Sequence, residues 1–352
     1  MDDGETQALA DSLAAMGLLK PDGRFTAINL TGGVSCDVYK VEFPDAPAVV
    51  VKRALPKLRV AADWRAPPER SAAEIAWLRL AGRIDPSTAP QIVGEDHAHH
   101  MFAMHFLDPK DYPLWKVELA QGRVDVDFAA VTGSKLARIH AETAGRPEIA
   151  ASFDNAEQFF ALRLDAYLLF AAGRHPDIAP KIRAVVDRIA EARIALMQGD
   201  ISPKNILCGP GRAGTRETKS PVFLDAETAC YGDPVFDLAF CINHLLLKCV
   251  WHPEHRAKYL ASFLALKEAY LKGATWEKPE ATGRRAAILL AMLLLARIDG
   301  KSPVEYLTGE GDRSFVRETA RSFIIKGEES LDEIARVWRT GLDNRAVDEK
   351  KN

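Results

Sequence analysis

Leu9, Leu13 and Met16 recur at helical spacing within residues 5–19, the stripe of an amphipathic helix. From residue 25 to about 106 the period shortens. "FTAINL" leads into "TGGVS", and Tyr39, Val41 and Phe43 alternate with Lys40 and Glu42, the two-residue period of a half-buried strand. "AVVVKRA" (48–54) is a β-branched run suited to a buried strand, with Lys52 near its end. "PPERSAAEIAWLRLAG" predicts a helix opened by Pro and closed by Gly82. "QIVGEDHAHHMFAMHFL" predicts two strands joined by a polar turn. Beyond it the helical period dominates, at 127–144, 155–172, 177–196, 234–250, 253–272, 281–297 and 312–327. Asp154 and Glu157 have the spacing of a capping box for the second of these. Short strands at 205–208 and 222–225 interrupt the series, joined by the Gly-rich "GPGRAGTRETKS".

These patterns predict an α+β chain with a β-rich N-terminal lobe over 1–106 and a helical C-terminal lobe over 107–352. Its 352 residues are 47% hydrophobic, enough for two domains and a substantial core. Lys plus Arg is 46 against 49 for Asp plus Glu, so no charge excess points to nucleic acid or an anionic membrane as partner. Five scattered cysteines without a Cys-x-x-Cys pair read as reduced, buried thiols. "MDDGETQALADSL" lacks the order of a signal peptide, and "AAILLAMLLLA" (286–296) has about half the length that spans a bilayer. The expectation is a buried helix in a soluble, cytoplasmic protein.

Candidate chemistry concentrates in "QGDISPKNIL", where Asp200 and Asn205 stand five residues apart before a strand, and in "VFLDAETACYGDP", which carries Asp225. Phosphoryl transfer asks for a cradle around phosphates, oxygen ligands for a metal, a cation on the nucleotide and a carboxylate at the acceptor hydroxyl. Lys52, Glu74, Asp200, Asn205 and Asp225 supply these parts in order along the chain.

That ordered set resembles the kinase superfamily. Gly199 before Asp200, Ala-Glu after Asp225, "DPVFDLAF" with Asp237, and "LARIH" (136–140) are similar to the aminoglycoside phosphotransferase and choline kinase group of small-molecule kinases. "VVVKRALPKLRV" with "ERSAAEIAWL" resembles methylthioribose kinases locally. The resemblance implies a bilobal, protein-kinase-like fold with ATP between the lobes, Mg²⁺ as cofactor and a small-molecule hydroxyl as acceptor. It implies Asp200 as catalytic base and Asn205 and Asp225 as metal ligands. Lys52 would meet the α- and β-phosphates, restrained by Glu74, with Glu69 the competing residue one turn away. Gly32, Gly33 and Ser35 would cover the phosphates through backbone N–H groups, and Met104, His105 and Phe106 would form the adenine hinge. Glu227 and Arg297 are candidate substrate contacts. His97, His99 and His100 read as a polar turn and not as a metal site. Gln198 stands where such relatives carry a His that hydrogen-bonds backbone near the metal-binding Asp, and its amide is expected to do likewise. The competing reading is a catalytically silent nucleotide-binding module on the same fold, which has no need of all four of Lys52, Asp200, Asn205 and Asp225.

Overall fold

The computed structural model describes residues 3–30, 35–57, 59, 65–211 and 219–349. The chain forms two compact units, Met1–Tyr112 with Val222–Glu227, and Pro113–Pro221 with Thr228–Asn352.

The first unit is built on an antiparallel sheet of β1 (Thr26–Asn29), β2 (Cys36–Glu42), β3 (Val49–Ala54), β4 (Ile92–Asp96) and β5 (Met101–His105), in the order β1-β2-β3-β5-β4. Alternation along β2 and β3 sorts the side chains by face. Tyr39, Val41, Val49 and Val51 join Met101 and Ala103 in one cluster with Leu9 and Leu13 of helix α1 (Asp3–Ala15). The opposite face of β3 carries Lys52 toward Glu74 on α2 (Ser71–Ile84). Glu74, Trp77, Leu78 and Ala81 repeat at helical spacing and are all buried. Trp77 meets Phe223 edge-to-face with ring centroids 6.2 Å apart, and the Phe223 N–H donates to the Thr88 carbonyl at 2.7 Å. These contacts bind the returning segment Val222–Glu227 into this unit.

The second unit is helical: α3 (Trp115–Ala120), α4 (Val126–Thr143), α5 (Pro147–Ser152), α6 (Ala156–Phe159), a π-helical segment Phe160–Leu169, α7 (Phe170–Arg174) and α8 (Ala179–Glu191). Strands β6 (Ala195–Met197), β7 (Ile206–Gly209) and β8 (Ser220–Phe223) follow, the last crossing back into the first unit. The chain then runs through β9 (Cys230–Gly232), α9 (Val235–Trp251), α10 (Arg256–Gly273), α11 (Pro279–Asp299), α12 (Glu310–Lys326) and α13 (Leu331–Glu349). From Val235 to Val250 every residue of α9 is buried, and so is α11 from Leu289 to Asp299, as a helix apolar on all sides requires. No single helix among the described residues is long and apolar enough to cross a membrane. All five cysteines are buried free thiols.

Several local expectations change. Gly82 lies inside α2, which continues to Ile84. The helix expected to reach 196 stops at Glu191, and Ala195–Met197 pairs antiparallel with Cys230–Gly232. Asn155 occupies the N-cap of α6, so the Asp154–Glu157 box is not formed. Asp225 sits two residues beyond β8, in a left-handed conformation with φ 64°.

Two glycines test the packing. A methyl on Gly133 in α4 would lie 2.2 Å from the Leu266 carbonyl oxygen of α10, whereas one on Gly82 meets nothing within 4 Å. Gly133→Ala is expected to cost ~1–3 kcal/mol as overpacking. Gly82→Ala is expected to gain ~0.5–1 kcal/mol from helix propensity. Urea unfolding of both variants checks the pair of signs.

Candidate active site

In the first unit, Lys52 Nζ lies 2.7 and 2.8 Å from the two Glu74 carboxylate oxygens and 2.8 Å from Asp225 Oδ1. Burial alone would depress the lysine pKa, but the carboxylates of Asp225 and Glu74 outweigh it and raise the value well above the ordinary one. The ammonium is therefore a fixed positive charge. Asp225 adopts its positive φ, a conformation that Asp tolerates better than most residues. Glu69, the competitor of Glu74, is exposed and lies 3.9 Å from His100.

Beside this triad, Arg70 is wholly buried. Its Nε donates to Glu227 Oε2 at 2.8 Å, and its other nitrogens donate to the carbonyls of Ala66, Pro67, Ser35 and Leu55. Glu227 thus has a buried cationic partner within its own unit. Cys36 Sγ lies 3.8 Å from the same Glu227 oxygen, and burial pushes this thiol up to about 12, so it stays protonated. Ser35 is buried, with its carbonyl on Arg70 and Leu55. Gly32 and Gly33 lie outside the described residues. Met104 and His105 end β5, and Phe106 follows. The His105 N–H donates to Gln91 O at 2.9 Å and the Phe106 N–H to Ala48 O at 3.3 Å, so both donors are committed to the sheet.

In the second unit, the loop after β6 is organised by Asp237, fully buried on the first turn of α9. Its carboxylate accepts the N–H groups of Gln198 and Gly199, each at 2.7 Å, and lies 3.1 Å from His140 Nε2. His140 belongs to the "LARIH" helix. Gly199 has φ +82°, and a Cβ there would lie 2.6 Å from Thr228 Oγ1, so only glycine fits. The Gln198 amide oxygen accepts the Asp200 N–H at 2.6 Å, closing the loop on itself.

The two oxygens of Asp200 then differ. Oδ2 receives Asn205 Nδ2 at 2.8 Å and lies 3.1 Å from Arg163 Nη2 and 3.0 Å from Lys204 Nζ. Oδ1 is buried and has no hydrogen-bond partner among the described residues. Asn205 spends its Nδ2 on this oxygen and on the Asp200 carbonyl, and its amide oxygen takes no hydrogen bond among the described residues. Arg163 also donates to the Gly199 carbonyl at 2.7 Å from the π-helical segment. An arginine inside "FFALRLDAYLLF" is a signal that periodicity passes over, because it falls on an otherwise apolar face.

Arg297 is buried in α11 with Nη1 3.2 Å from the Tyr167 hydroxyl and a second bond to the Ser302 carbonyl. Arg285 pairs with Asp233 and Glu277. His97, His99 and His100 fall in the turn between β4 and β5, where His99 Nδ1 meets Asp96 at 2.7 Å. No group of three or more His, Cys, Asp or Glu side chains among the described residues is placed to hold a metal ion.

Residues 26–282 match the phosphotransferase enzyme family, and the chain belongs to it. Solved structures of similar fold include a protein described as a fructosamine-3-kinase from Thermobifida fusca YX-ER1, at 20% identity and TM-score 0.51, covering 91% of this chain and 99% of that one. The streptomycin–ATP–APH(2″)-IIa ternary complex matches at 14% identity and TM-score 0.50, covering 92% and 98%. No curated protein matches. The fold is α+β and protein-kinase-like, and the family is one of phosphotransferase enzymes.

The buried Arg70–Glu227 pair gives a stability test. Glu227→Gln leaves a buried guanidinium without its counter-charge and is expected to cost about 3–5 kcal/mol. Chemical denaturation measures it, and a change below about 1 kcal/mol would mean that the surrounding carbonyls suffice.

Proposed function

We propose that the protein transfers the γ-phosphoryl group of ATP to a hydroxyl of a small molecule, with Asp200 as the base that receives and orients that hydroxyl. The observation that carries this reading is the asymmetry of the Asp200 carboxylate. Three donors fix Oδ2, while Oδ1 is buried and unpartnered. An unsatisfied buried carboxylate oxygen is costly, and a substrate O–H is a donor that would satisfy it. Orientation is the larger part of the task, because phosphoryl transfer asks mainly for positioning and charge stabilisation.

The remaining roles follow from charge and donor type. Lys52, held charged by Glu74 and Asp225, would bind the α- and β-phosphates, while Glu74 keeps it from following them. Gly32, Gly33 and Ser35 would offer backbone N–H groups to the phosphates. For adenine, Met104, His105 and Phe106 would offer carbonyls, since two of their N–H groups are taken. ATP held by the structurally similar APH(2″)-IIa supports the choice of donor. Asn205 and Asp225 fit Mg²⁺ by chemistry. Both present hard oxygens, and this ion takes few protein ligands and completes its shell with phosphate and water. When bound, Mg²⁺ neutralises charge on the transferring phosphate.

Asp200→Asn preserves shape and removes the base. An ADP-release assay should span hydroxy acids, amino alcohols, aminoglycosides and neutral sugars, the last because the stretch around Lys52 and Glu74 resembles methylthioribose kinases. Wild type is expected to turn over at least one class. The variant should lose about 10²–10⁴-fold in kcat while Mg·ATP still raises its Tm. Stabilisation by Mg·ATP without ADP release in any class would instead mark a silent nucleotide-binding module.

A further inference from the structure

One helical turn beyond Arg163, the π-helical segment carries Tyr167, where a second set of buried groups begins. The Arg297 guanidinium lies over the Tyr167 ring at 5.3 Å, and Tyr167 meets Phe240 edge-on at 5.6 Å. Phe240 in turn meets His244 at 5.8 Å, and His244 Nδ1 lies 3.5 Å from the Tyr306 hydroxyl. Lys248 sits one turn further along α9, with Nζ 4.7 Å from the ring centroids of both Trp251 and Tyr306. Every member of this chain of contacts belongs to the second unit, as does Asp200.

The charge balance of this region is one-sided. Lys248 is 1% exposed and Arg297 7% exposed, and among the described residues neither the Lys248 ammonium nor the Arg297 Nε has a hydrogen-bond partner. Neither cation has a carboxylate within ion-pair distance among the described residues. Glu305, the nearby acid, is matched by Lys116. Asp200 is already met by Arg163 and Lys204. The neighbouring titrations register the excess. Burial would raise the Tyr167 pKa, yet Arg297, Arg163 and Lys204 outweigh it and lower the value. Burial and the charges of Arg297, Lys248, Lys204 and Lys116 hold His244 well below its usual value. Burial, reinforced by Lys116, pushes Lys248 down to about 8.

Buried cations without a counter-charge are costly, and an arriving anion would offset that cost. Arg297 stacks on Tyr167, one turn from the Arg163 that meets Asp200, and Lys248 joins the same chain of contacts through Tyr306 and His244. From this arrangement we infer that the phosphate acceptor is an anionic hydroxy compound, whose carboxylate or phosphate oxygens are bound by Lys248 and Arg297. A polycationic acceptor would face like charge at this place. An external ammonium would also have to displace Lys248 from beside the stacked rings of Trp251 and Tyr306. The inference rests on the phosphotransfer reading for the reaction and adds the substrate class.

The test compares wild type, Lys248→Met, Lys248→Arg and Arg297→Gln in an ADP-release assay. Acceptors are small sugar acids, sugar phosphates, neutral sugars, and amino alcohols with aminoglycosides. Turnover is expected with one of the first two panels, and which of them responds separates carboxylate from phosphate. Lys248→Met and Arg297→Gln should each raise the acceptor KM at least tenfold with kcat changed less than threefold, and Lys248→Arg should restore much of the loss. Independently of turnover, malonate is expected to raise the Tm of wild type and of Asp200→Asn, and not that of Lys248→Met. The free Lys248→Met protein should melt higher than wild type, which also shows that it folds. Turnover confined to neutral or cationic acceptors, or an anionic acceptor whose KM ignores Lys248→Met, overturns the inference. No turnover in any panel with a Lys248-dependent malonate shift counts against the phosphotransfer reading and leaves the anion site standing; loss of that shift as well removes both.

Discussion

A carboxylate with no water around it has to be satisfied by protein donors, and Asp237 meets that requirement with the backbone of the loop that leads into Asp200. Two consecutive N–H groups, from Gln198 and Gly199, converge on it. Such convergence bends the chain into the left-handed region at residue 199, where Thr228 leaves no room for a side chain. The bend fixes the direction in which Asp200 leaves the loop. Gln198 then returns its amide oxygen to the Asp200 N–H, and Arg163 ties the Gly199 carbonyl to the Asp200 carboxylate. The position of the Asp200 carboxylate is thus set by the groups around its loop, the preorganisation that its proposed role asks for.

The same logic of paired burial organises the first unit. Lys52 stands among two carboxylates on the polar side of an otherwise apolar strand, while the other side of that strand closes the core under α1. Arg70 repeats the arrangement with Glu227 and four carbonyls. In both clusters each cation has its counter-charge inside the protein. Around Tyr167 and Tyr306, Lys248 and Arg297 have no carboxylate at ion-pair distance among the described residues, the imbalance from which the anion site is proposed.

Much of this is legible in the sequence because it rests on period and spacing. Alternation places Lys52 on its strand, helical spacing places Glu74 on the buried side of α2, and the five-residue interval of Asp200 and Asn205 survives as a direct hydrogen bond. The residues that are not legible act through tertiary contact. Three-residue strands such as Ala195–Met197 are too short to show a period, so the helical pattern before them runs on through their positions. Arg163 and Lys248 sit in apolar helices, where a charge has no pattern of its own, and only the fold shows what each one faces. Glu227 looks like a substrate contact in the sequence because it follows Asp225 closely; its partner Arg70 is 157 residues away in the chain. The Gln198 bond shown is within its own loop, from the Asp200 N–H to its side-chain oxygen, and not the expected one near Asp225.

The central claim is that this chain moves a phosphoryl group from ATP to a small-molecule hydroxyl at Asp200. The most direct measurement is ³¹P NMR of the purified protein with Mg·ATP and the small-molecule fraction of a cell extract, so that the acceptor need not be identified beforehand. The account predicts a growing phosphomonoester resonance in step with ADP, absent with Asp200→Asn. Unconsumed ATP, or ADP accompanied only by inorganic phosphate, would contradict it.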